Sequence, residues 1–298
     1  MQSMQPHIPV LRREVIKYLA PQKNQNFIDA TVGFGGHAKL ILEKTSPRGL
    51  LFAIDQDPVA IEEAQKNLKN YGNRITFINR NFDEMGLLVR KWPVPEISGI
   101  LFDLGASSYQ LSSGRGFSFL KDSPLDMRMS PNVKETAEKI INRWPAEKIR
   151  QIIWQYGEES MAAAITREII RARRIHPIER TGELVEAIEK AMPLREKAKR
   201  KMHAKHFATL TFQALRIAVN DELSALENGL KQALQILSPG GGIVVISFHS
   251  LEDRIVKQFF RESPDLEILT PKPVIPSEKE IDDNPRARSA KLRAVRKK

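Results

Sequence analysis

The first hundred residues alternate between short apolar runs, which predict buried strands, and stretches with apolar positions three or four apart, which predict helices. The apolar runs predict four strands, at 27–32, 49–55, 74–82 and 97–104. Helices are expected before the first strand and after the first two, at 7–19, 38–44 and 58–71. Strands that alternate with helices predict an α/β fold with a mostly parallel sheet.

A glycine turn follows the first predicted strand, within the stretch FIDATVGFGGH at 27–37. Gly33, Gly35 and Gly36 let the backbone turn tightly, and a ligand can approach a backbone that carries no side chain. The pattern GFGG lacks the third glycine of GxGxxG, which disfavours a dinucleotide with its pyrophosphate. A mere tight turn without a ligand is the alternative interpretation.

Acidic or aromatic residues follow the next three strands. Asp55 ends the second strand about 20 residues after the turn, the spacing at which a carboxylate accepts hydrogen bonds from ribose hydroxyls. Phe82 and Asp83 follow the third strand, and Asp103 ends the fourth. Because the carboxyl ends of parallel strands share one edge, we expect one site there, for a nucleoside cofactor without pyrophosphate such as S-adenosyl-L-methionine. Phe82 as a core residue under a loop and Asp103 as a helix N-cap partner are the alternatives.

The character of the chain changes near residue 111. A loop-like segment rich in Gly, Ser and Pro at 111–131 is followed by a helical block at 136–201, which has no room for a parallel strand. We therefore expect an inserted helical domain for substrate recognition at 113–208, within a domain made of 1–112 and 209–298. The second part has a helix or helix pair at 209–237, a fifth strand at 243–250, and a basic tail that could form the last edge strand.

The composition narrows the functional classes. The 298 residues include no cysteine, which excludes disulfides, thiolate zinc sites and a cysteine nucleophile. No apolar run approaches the roughly 20 residues of a membrane span, and the N-terminus lacks the apolar core of a signal peptide, so we expect a cytoplasmic protein.

The charge favours a polyanionic partner. Lys and Arg number 47 against 36 Asp and Glu, a net charge of +11, and nucleic acid is preferred over a protein that merely happens to be basic. The best phosphate-facing stripe is a basic cluster in the second half of the helical block: Arg195, Lys197, Lys199, Arg200, Lys201 and Lys205. A solvated helix face is the alternative interpretation of this cluster.

Seven motifs, in this order and spread over nearly the whole chain, resemble the bacterial MraW (RsmH) methyltransferases: HIPVL, DATVGFGGH, DLGASSYQL, RGFSF, PLDMRM, FQALRIAVNDEL and SFHSLEDR. The resemblance implies a class I S-adenosylmethionine-dependent methyltransferase fold, Rossmann-like and mostly parallel, with an inserted helical domain. It also implies transfer of a methyl group from S-adenosyl-L-methionine to N4 of a cytidine in the decoding centre (P site) of 16S ribosomal RNA. The implied partner is this RNA, within the small ribosomal subunit.

The cofactor residues implied by the resemblance lie in the glycine turn and after strands two to four. With Gly33 from the turn itself, the set is Gly33, Gly35, Gly36, His37, Asp55, Phe82, Asp103 and Gln110. His37 and Gln110 rest on the resemblance alone, since a histidine at this place is more often a helix-start residue.

Three residues are candidates for the chemistry. Asp103 is expected to organise the amino-acid end of the methyl donor or the target amine, and Tyr109 to stack on the base. His249 could take the released proton, with a structural histidine in a turn as the alternative. No His and carboxylate cluster has convincing ligand spacing, so no metal is assigned. Phe117 and Phe119 could stack on RNA or cover the cofactor.

The chain departs from the family pattern at four positions outside the cofactor motifs: Ser123, Ser130, Phe207 and Leu210. These departures bear on RNA docking, since an arginine is usual where Leu210 stands. Three other functions are the alternatives: a methyltransferase for another nucleic-acid amine, a nicotinamide-dependent dehydrogenase, and a non-enzymatic RNA-binding assembly factor. Naked RNA or assembled subunit as substrate, a homodimer and assistance by a metal stay open.

Overall fold

The computed structural model describes residues 9–202 and 206–298. Within them one sheet contains seven strands: β1 (Phe27–Asp29), β2 (Leu51–Asp55), β3 (Ile75–Asn79), β4 (Gly99–Asp103), β5 (Gly242–Ser247), β6 (Leu266–Ile268) and β7 (Lys291–Lys297). Their order is β3-β2-β1-β4-β5-β7-β6. The first five strands are parallel, and β7 is antiparallel to both of its neighbours. The predicted α/β fold with a mostly parallel sheet is confirmed.

Helices fill the connections between the strands. In the first part of the chain they are α1 (Arg12–Leu19), α2 (Gly36–Lys44), α3 (Pro58–Asn67) and α4 (Met85–Val89). The middle part has α5 (Ser108–Ser112), α6 (Ala137–Arg143), α7 (Ala146–Gln155), α8 (Ala162–Ile175), α9 (Thr181–Ala191), α10 (Leu194–Met202) and α11 (Thr209–Asn220). The last part has α12 (Glu222–Ile236), α13 (Ser250–Glu262) and α14 (Glu278–Asp283). None of the helices in the described ranges is both long enough and apolar enough to cross a bilayer.

The chain divides into two compact units. One combines the residues up to Gly105 with Leu223–Lys298 and contains the sheet, and the other is Ala106–Glu222. The helical unit therefore includes α5 and α11, which the sequence assigned to the other domain with boundaries at 112 and 208. The helix α11 belongs to the helical unit because Phe212 and Leu215 on its apolar face join the core formed with α6 and α7. Substrate recognition by the helical unit stays a prediction.

Alternate residues of the strands serve the two faces of the sheet. Phe27 of β1, paired with Leu51 and Gly99 of the flanking strands, packs with α1, α2 and α3. Its neighbour Ile28 points to the other face and packs with α4, α12 and α13. With helices on both faces, the carboxyl edge of the parallel strands is the place that the fold leaves for a ligand.

The basic tail was expected at the sheet edge, and this prediction is wrong, because β7 lies between β5 and β6. Its alternating apolar residues, such as Leu292 and Ala294, are buried, as an interior strand requires. Two of the cations of β7 form hydrogen bonds within the protein. The Arg293 guanidinium donates from Nε to Asp253 Oδ1 at 2.6 Å, and the Lys297 ammonium donates to the carbonyl oxygens of Leu234 in α12 and of Leu237 just after it.

The irregular segment before α6 forms part of the core of the helical unit. Phe117 is only 7% exposed, and Met127 and Met129 are buried as well. Asn220, at the end of α11, donates to the Met127 carbonyl and accepts from the Met129 amide, both at 2.8 Å. Phe117 is therefore a core residue, which contradicts its expected availability for stacking on RNA. Phe119 stacks on His206, with ring centroids 4.4 Å apart.

Candidate active site

Three neighbouring strands each end on an aspartate at the carboxyl edge. Asp29 of β1 pairs in register with residue 53 of β2 and residue 101 of β4. Asp55 and Asp103 therefore lie two positions beyond it on either side. The sequence analysis identified Asp55 and Asp103 but missed Asp29. The available signal was an acid inside an otherwise apolar strand, a position that seldom holds a charge without a partner.

The glycine turn joins β1 to α2. Gly33 and Gly35 have φ values of +51° and +87°, which favour glycine. A Cβ on Gly33 would meet nothing closer than 4.0 Å, so this side of the turn is open. A Cβ on Gly35 would lie 2.7 Å from Leu68, and one on Gly36 would lie 3.1 Å from Pro9. Open approach for a ligand therefore applies to Gly33, whereas Gly35 and Gly36 allow close packing by their own chain.

Asp55 is held by backbone donors. Its Oδ2 accepts from the Gly33 amide and its Oδ1 from the Asp57 amide, both at 2.9 Å. Burial raises the pKa of Asp55 to about 6, although these hydrogen bonds act in the opposite direction. A carboxylate fixed in this way beside the turn keeps further lone pairs, which suits ribose hydroxyls.

Asp29 is the most deeply buried acid of the three, at 1% exposure. Its Oδ1 accepts from the Thr31 amide at 3.3 Å, and its buried Oδ2 has no hydrogen-bond partner among the described residues. Burial, with a smaller contribution from the charge of Asp55, raises the pKa of Asp29 to about 7. A buried carboxylate oxygen without a donor is costly, and a cationic ligand would compensate it.

Asp103 lies close to the same turn. Its amide donates to Thr31 Oγ1 at 2.6 Å, and its Oδ2 is 3.7 Å from Nε2 of His37, which is 5% exposed. Its buried Oδ1 has no hydrogen-bond partner in the described part of the chain. Burial is the main cause that raises the pKa of Asp103 to about 8, and the charges of Asp29 and Glu252 add to it.

The corner after β3 begins a short 3₁₀ turn, Phe82–Glu84. The Phe82 ring packs edge-on against Phe102 of β4, with centroids 5.5 Å apart and planes at 89°. Phe82 is half-buried, so part of the ring belongs to the core and part is left for another contact. Asn81 accepts from the Asp83 amide at 3.3 Å and so begins the turn.

His249 is the N-cap of α13. Its Nδ1 accepts from the Glu252 amide at 3.4 Å, and its Nε2 lies 3.2 Å from Oε1 of Glu252. Glu252 in return accepts from the Phe248 and His249 amides. This is the reciprocal pattern of a capping box, so the geometry describes the structural histidine that the sequence left as an alternative. A role for His249 in proton transfer stays a prediction.

Tyr109 and Gln110 belong to α5 of the helical unit. Gln110, at 5% exposure, accepts through Oε1 from the Ser107 amide at 2.9 Å, and its own amide donates to Ser107 Oγ. The Arg115 guanidinium lies over the Tyr109 ring, 5.7 Å from its centroid. The described contacts therefore give Gln110 a capping role and Tyr109 a cationic neighbour, while cofactor binding and base stacking stay predictions.

Comparison with known proteins decides the family. The family model of the MraW methylase family matches residues 4–298. The chain belongs to the MraW methylase family. A ribosomal RNA small subunit methyltransferase H from Heliobacterium modesticaldum is 46% identical to it over 98% of both chains. The protein of the same name from Geobacter sulfurreducens is 47% identical over 98% of both chains.

Among solved structures, an rRNA methylase from Streptococcus thermophilus is 10% identical, with a TM-score of 0.46, and the match covers 100% of this chain and 98% of that chain. Membership of the MraW methylases confirms the predicted class I methyltransferase fold and S-adenosyl-L-methionine as the cofactor.

The residues at the carboxyl edge of this MraW methylase fit that cofactor. The methionine part of S-adenosyl-L-methionine carries an ammonium and the sulfur carries a positive charge. Asp29 and Asp103 each have a buried oxygen without a hydrogen-bond partner in the described part of the chain, and the open side of Gly33 leaves the backbone accessible. Asp55 offers a fixed carboxylate for ribose hydroxyls. The side chains at this edge are thus carboxylates, which suit a nucleoside that carries positive charge.

The basic stripe of the helical unit is partly internal. Arg200 makes a two-pronged ion pair with Glu159, with both N–O distances at 2.7 Å, and Glu159 is fully buried. Lys197 pairs with Glu189 at 3.1 Å, and Arg195 is exposed. The Lys199 and Lys201 side chains and the whole of Lys205 lie outside the described residues. Arg200 is therefore a structural cation, which contradicts its expected role as a phosphate contact.

The four departures from the family pattern have local contacts in the helical unit. The Ser123 amide donates to Thr181 Oγ1 at 3.0 Å, and Ser130 Oγ accepts from the Asn132 amide at 3.3 Å. The Phe207 carbonyl accepts from Arg200 at 3.2 Å. Leu210 lies beside Gly157, where a Cβ would come within 2.8 Å of the Leu210 carbonyl oxygen. Their effect on RNA docking stays a prediction.

Proposed function

We propose that this chain transfers a methyl group from S-adenosyl-L-methionine to N4 of a cytidine in the decoding centre (P site) of 16S ribosomal RNA. The observation that carries the proposal is a pair of aspartates at the carboxyl edge, Asp29 and Asp103, each with one buried oxygen that has no hydrogen-bond partner among the described residues. Relatives at 46% and 47% identity, named ribosomal RNA small subunit methyltransferase H, support the ribosomal substrate. The net charge of +11 suits an RNA partner, and such a substrate implies action in the cytoplasm.

Each strand end has a proposed share in holding the cofactor. Asp29 and Asp103 accept from the ammonium of the amino-acid part, and Asp55 accepts from the ribose hydroxyls. The exposed part of the Phe82 ring lies against the adenine. Gly33 gives backbone access, and Gly35 and Gly36 keep the turn tight. His37 and Gln110 complete the set by the family resemblance.

Bound S-adenosyl-L-methionine supplies an electrophilic methyl group on a sulfonium, so that a bond from N4 to carbon forms as the carbon–sulfur bond breaks. The amine nitrogen of cytosine is a weak nucleophile because its lone pair is delocalised into the ring. A carboxylate that accepts its N–H bond opposes this delocalisation, and this is the alternative role that we propose for Asp103 in place of its contact with the ammonium.

The proton that N4 releases needs an acceptor. His249 is our candidate for this role, and the described contacts of its ring are those of a helix cap: Nδ1 accepts the cap hydrogen bond and Nε2 faces Glu252. Tyr109 is proposed to stack on the target base, which must leave its own stack to be modified.

The decisive experiment is transfer of labelled methyl from S-adenosyl-L-methionine to small subunits from a strain that lacks this protein, followed by nucleoside analysis. We expect label in N4-methylated cytidine, near-complete loss with Asp103→Asn, and no change with Asp283→Asn, which alters an exposed acid in α14. Free 16S RNA assayed in parallel distinguishes naked from assembled substrate. Label in a different nucleoside would indicate another nucleic-acid amine, and cofactor binding without label in any RNA would contradict the proposal.

A further inference from the structure

The turn after β3 is held by a helix that lies about 150 residues further along the chain. Gln232 of α12 donates from its side-chain amide to the Asp83 carbonyl, and its Oε1 accepts from the Gly86 amide at 2.5 Å. One side chain thus bonds a carbonyl and an amide on the two sides of the step from the 3₁₀ turn to α4. The position of Phe82, which begins this turn, depends on that attachment.

Gly229 lies one helical turn before Gln232, on the same face of α12. A Cβ on Gly229 would lie 2.7 Å from Cδ2 of Phe82 and 3.4 Å from Cε1 of Phe102. Carbon atoms in contact are about 3.5–4.0 Å apart, so a methyl group here would displace the Phe82 ring by about 1 Å. The glycine therefore lets the ring lie directly on the helix backbone.

We propose that Gln232 and Gly229 are positioning residues for the adenine side of the cofactor site, because together they fix the place of the Phe82 ring. This inference rests on the proposed contact between Phe82 and the adenine. Phe102 supports the ring edge-on, Gly229 gives it room against α12, and Gln232 fixes the backbone that carries it. These three contacts hold the exposed part of the Phe82 ring in one position and orientation.

The sequence contains no local sign of this arrangement. Gln232 lies in a helix whose apolar stripe predicts only packing on the sheet, and Gly229 alone indicates a weak point in that helix. The function appears only when the two are placed beside the turn at 82–86. Neither residue carries a charge, and neither is expected to touch the reacting atoms, so both would act on cofactor affinity rather than on the chemical step.

The test measures binding of S-adenosylhomocysteine to the full chain by calorimetry, at a temperature well below every melting midpoint. We expect Phe82→Ala to weaken binding about 5- to 100-fold, the range of one lost contact between an aromatic ring and a base. Gln232→Leu and Gly229→Ala should each weaken it about 3- to 10-fold, a part of that effect. Gln235→Leu and Asn228→Ala, exposed positions on the same helix, are the matched controls and should bind normally.

A double variant separates positioning from general damage. If Gln232 acts through the ring, Gln232→Leu combined with Phe82→Ala binds no more weakly than Phe82→Ala alone, because the ring is already absent. Gln232→Glu keeps one acceptor for Gly86 and should fall between wild type and Gln232→Leu. In the methyl-transfer assay the KM for the cofactor rises, while kcat at saturating cofactor stays within about twofold.

The outcomes distinguish the two levels of the argument. Normal binding by Gln232→Leu and Gly229→Ala, with weak binding by Phe82→Ala, overturns this inference and leaves the proposed cofactor site in place. Additive losses in the double variant also overturn it, since Gln232 would then act independently of the ring. Normal binding by Phe82→Ala removes the adenine from this side and contradicts both.

Discussion

The Gly33 amide donates a 2.9 Å hydrogen bond to Oδ2 of Asp55, so the end of β2 is tied to the turn that follows β1. The other oxygen of the same carboxylate accepts from the Asp57 amide, also at 2.9 Å. One side chain thereby sets the distance between the glycine turn and the start of α3. The residue that sequence analysis assigns to ribose binding is also a structural part of the site.

The variant Asp55→Ala should therefore lose both stability and cofactor affinity. Two backbone donors would lose their acceptor, which costs about 1–3 kcal/mol in this partly buried place. Urea unfolding measures the stability, and calorimetry with S-adenosylhomocysteine measures a loss of affinity of at least about tenfold. Asp283→Ala, at an exposed position, is the control. Wild-type affinity in Asp55→Ala would remove the carboxylate from the cofactor site.

The pKa values of Asp29 and Asp103 predict how stability varies with pH. Burial raises them from 3.8 to about 7 and about 8, so between pH 4 and pH 8 the folded protein holds protons that the unfolded chain has released. Unfolding releases protons in this window, and the stability contribution of each group therefore falls as pH rises. The contribution is fully present below pH 4 and is lost progressively towards the folded-state pKa.

We expect Asp103→Asn to be more stable than the wild type at pH 8, although it loses activity. The difference should grow with pH by up to about 1.4 kcal/mol per unit between pH 5 and pH 8, because the amide has no charge to bury. Urea unfolding of both proteins without ligand, at three pH values, measures it. If instead the unfolding free energies of the two proteins change with pH in the same way across this range, Asp103 ionises in the folded protein as freely as in water.

Cofactor binding should release protons near neutral pH. If the ammonium of the cofactor lies against Asp29 and Asp103, its charge lowers the pKa values of both carboxyls, and protons held by the unliganded protein are lost. Calorimetry with S-adenosylhomocysteine at pH 7 in buffers of different ionisation enthalpy counts them. We expect a release of up to about one proton, reduced in Asp103→Asn and in Asp29→Asn. A heat of binding that is the same in every buffer would place the ammonium elsewhere.

Local pattern was sufficient for the elements that border the site. The positions of β1 to β5 follow from apolar runs, and the acids at 55 and 103 follow from the rule that ligands bind at the carboxyl edge of parallel strands. Asp29 was missed because an apolar strand with one acid still predicts a core strand. Its significance depends on the neighbours that the register brings beside it, which are distant in sequence.

Long-range pairing explains the remaining differences. The strand β7 lies between β5 and β6, and its pairing with β5 joins residues about 50 positions apart in the sequence. No feature within the tail itself distinguishes an interior strand from an edge strand. Gly35 and Gly36 were correctly placed in the turn, but Leu68 and Pro9 now explain why they are glycines. Cations that look free in sequence, such as Arg200, have acidic partners elsewhere in the chain.

Arg200 gives the clearest separation between a structural and an RNA-binding cation. Its side chain is 12% exposed, and its guanidinium bonds both oxygens of the fully buried Glu159 carboxylate. Arg200→Met would leave that carboxylate buried without a counter-charge, so we expect a loss of about 3–5 kcal/mol in unfolding free energy. Glu159→Gln combined with Arg200→Met should recover part of it, since no unpaired charge remains. The exposed Arg195 is the matched control, and Arg195→Met should change stability by less than about 0.5 kcal/mol.

RNA binding at several salt concentrations is a second measurement on Arg200→Met and its control Arg195→Met. A phosphate contact contributes about 0.7 to 0.9 to the slope of log affinity against log salt, and its removal flattens the slope by that amount. At a temperature below its melting midpoint, the Arg200→Met variant should keep the wild-type slope, because this arginine is paired inside the protein. If instead Arg200→Met unfolds like the wild type and flattens the slope, then Arg200 leaves Glu159 to contact phosphate, and the ion pair is not part of the stable fold.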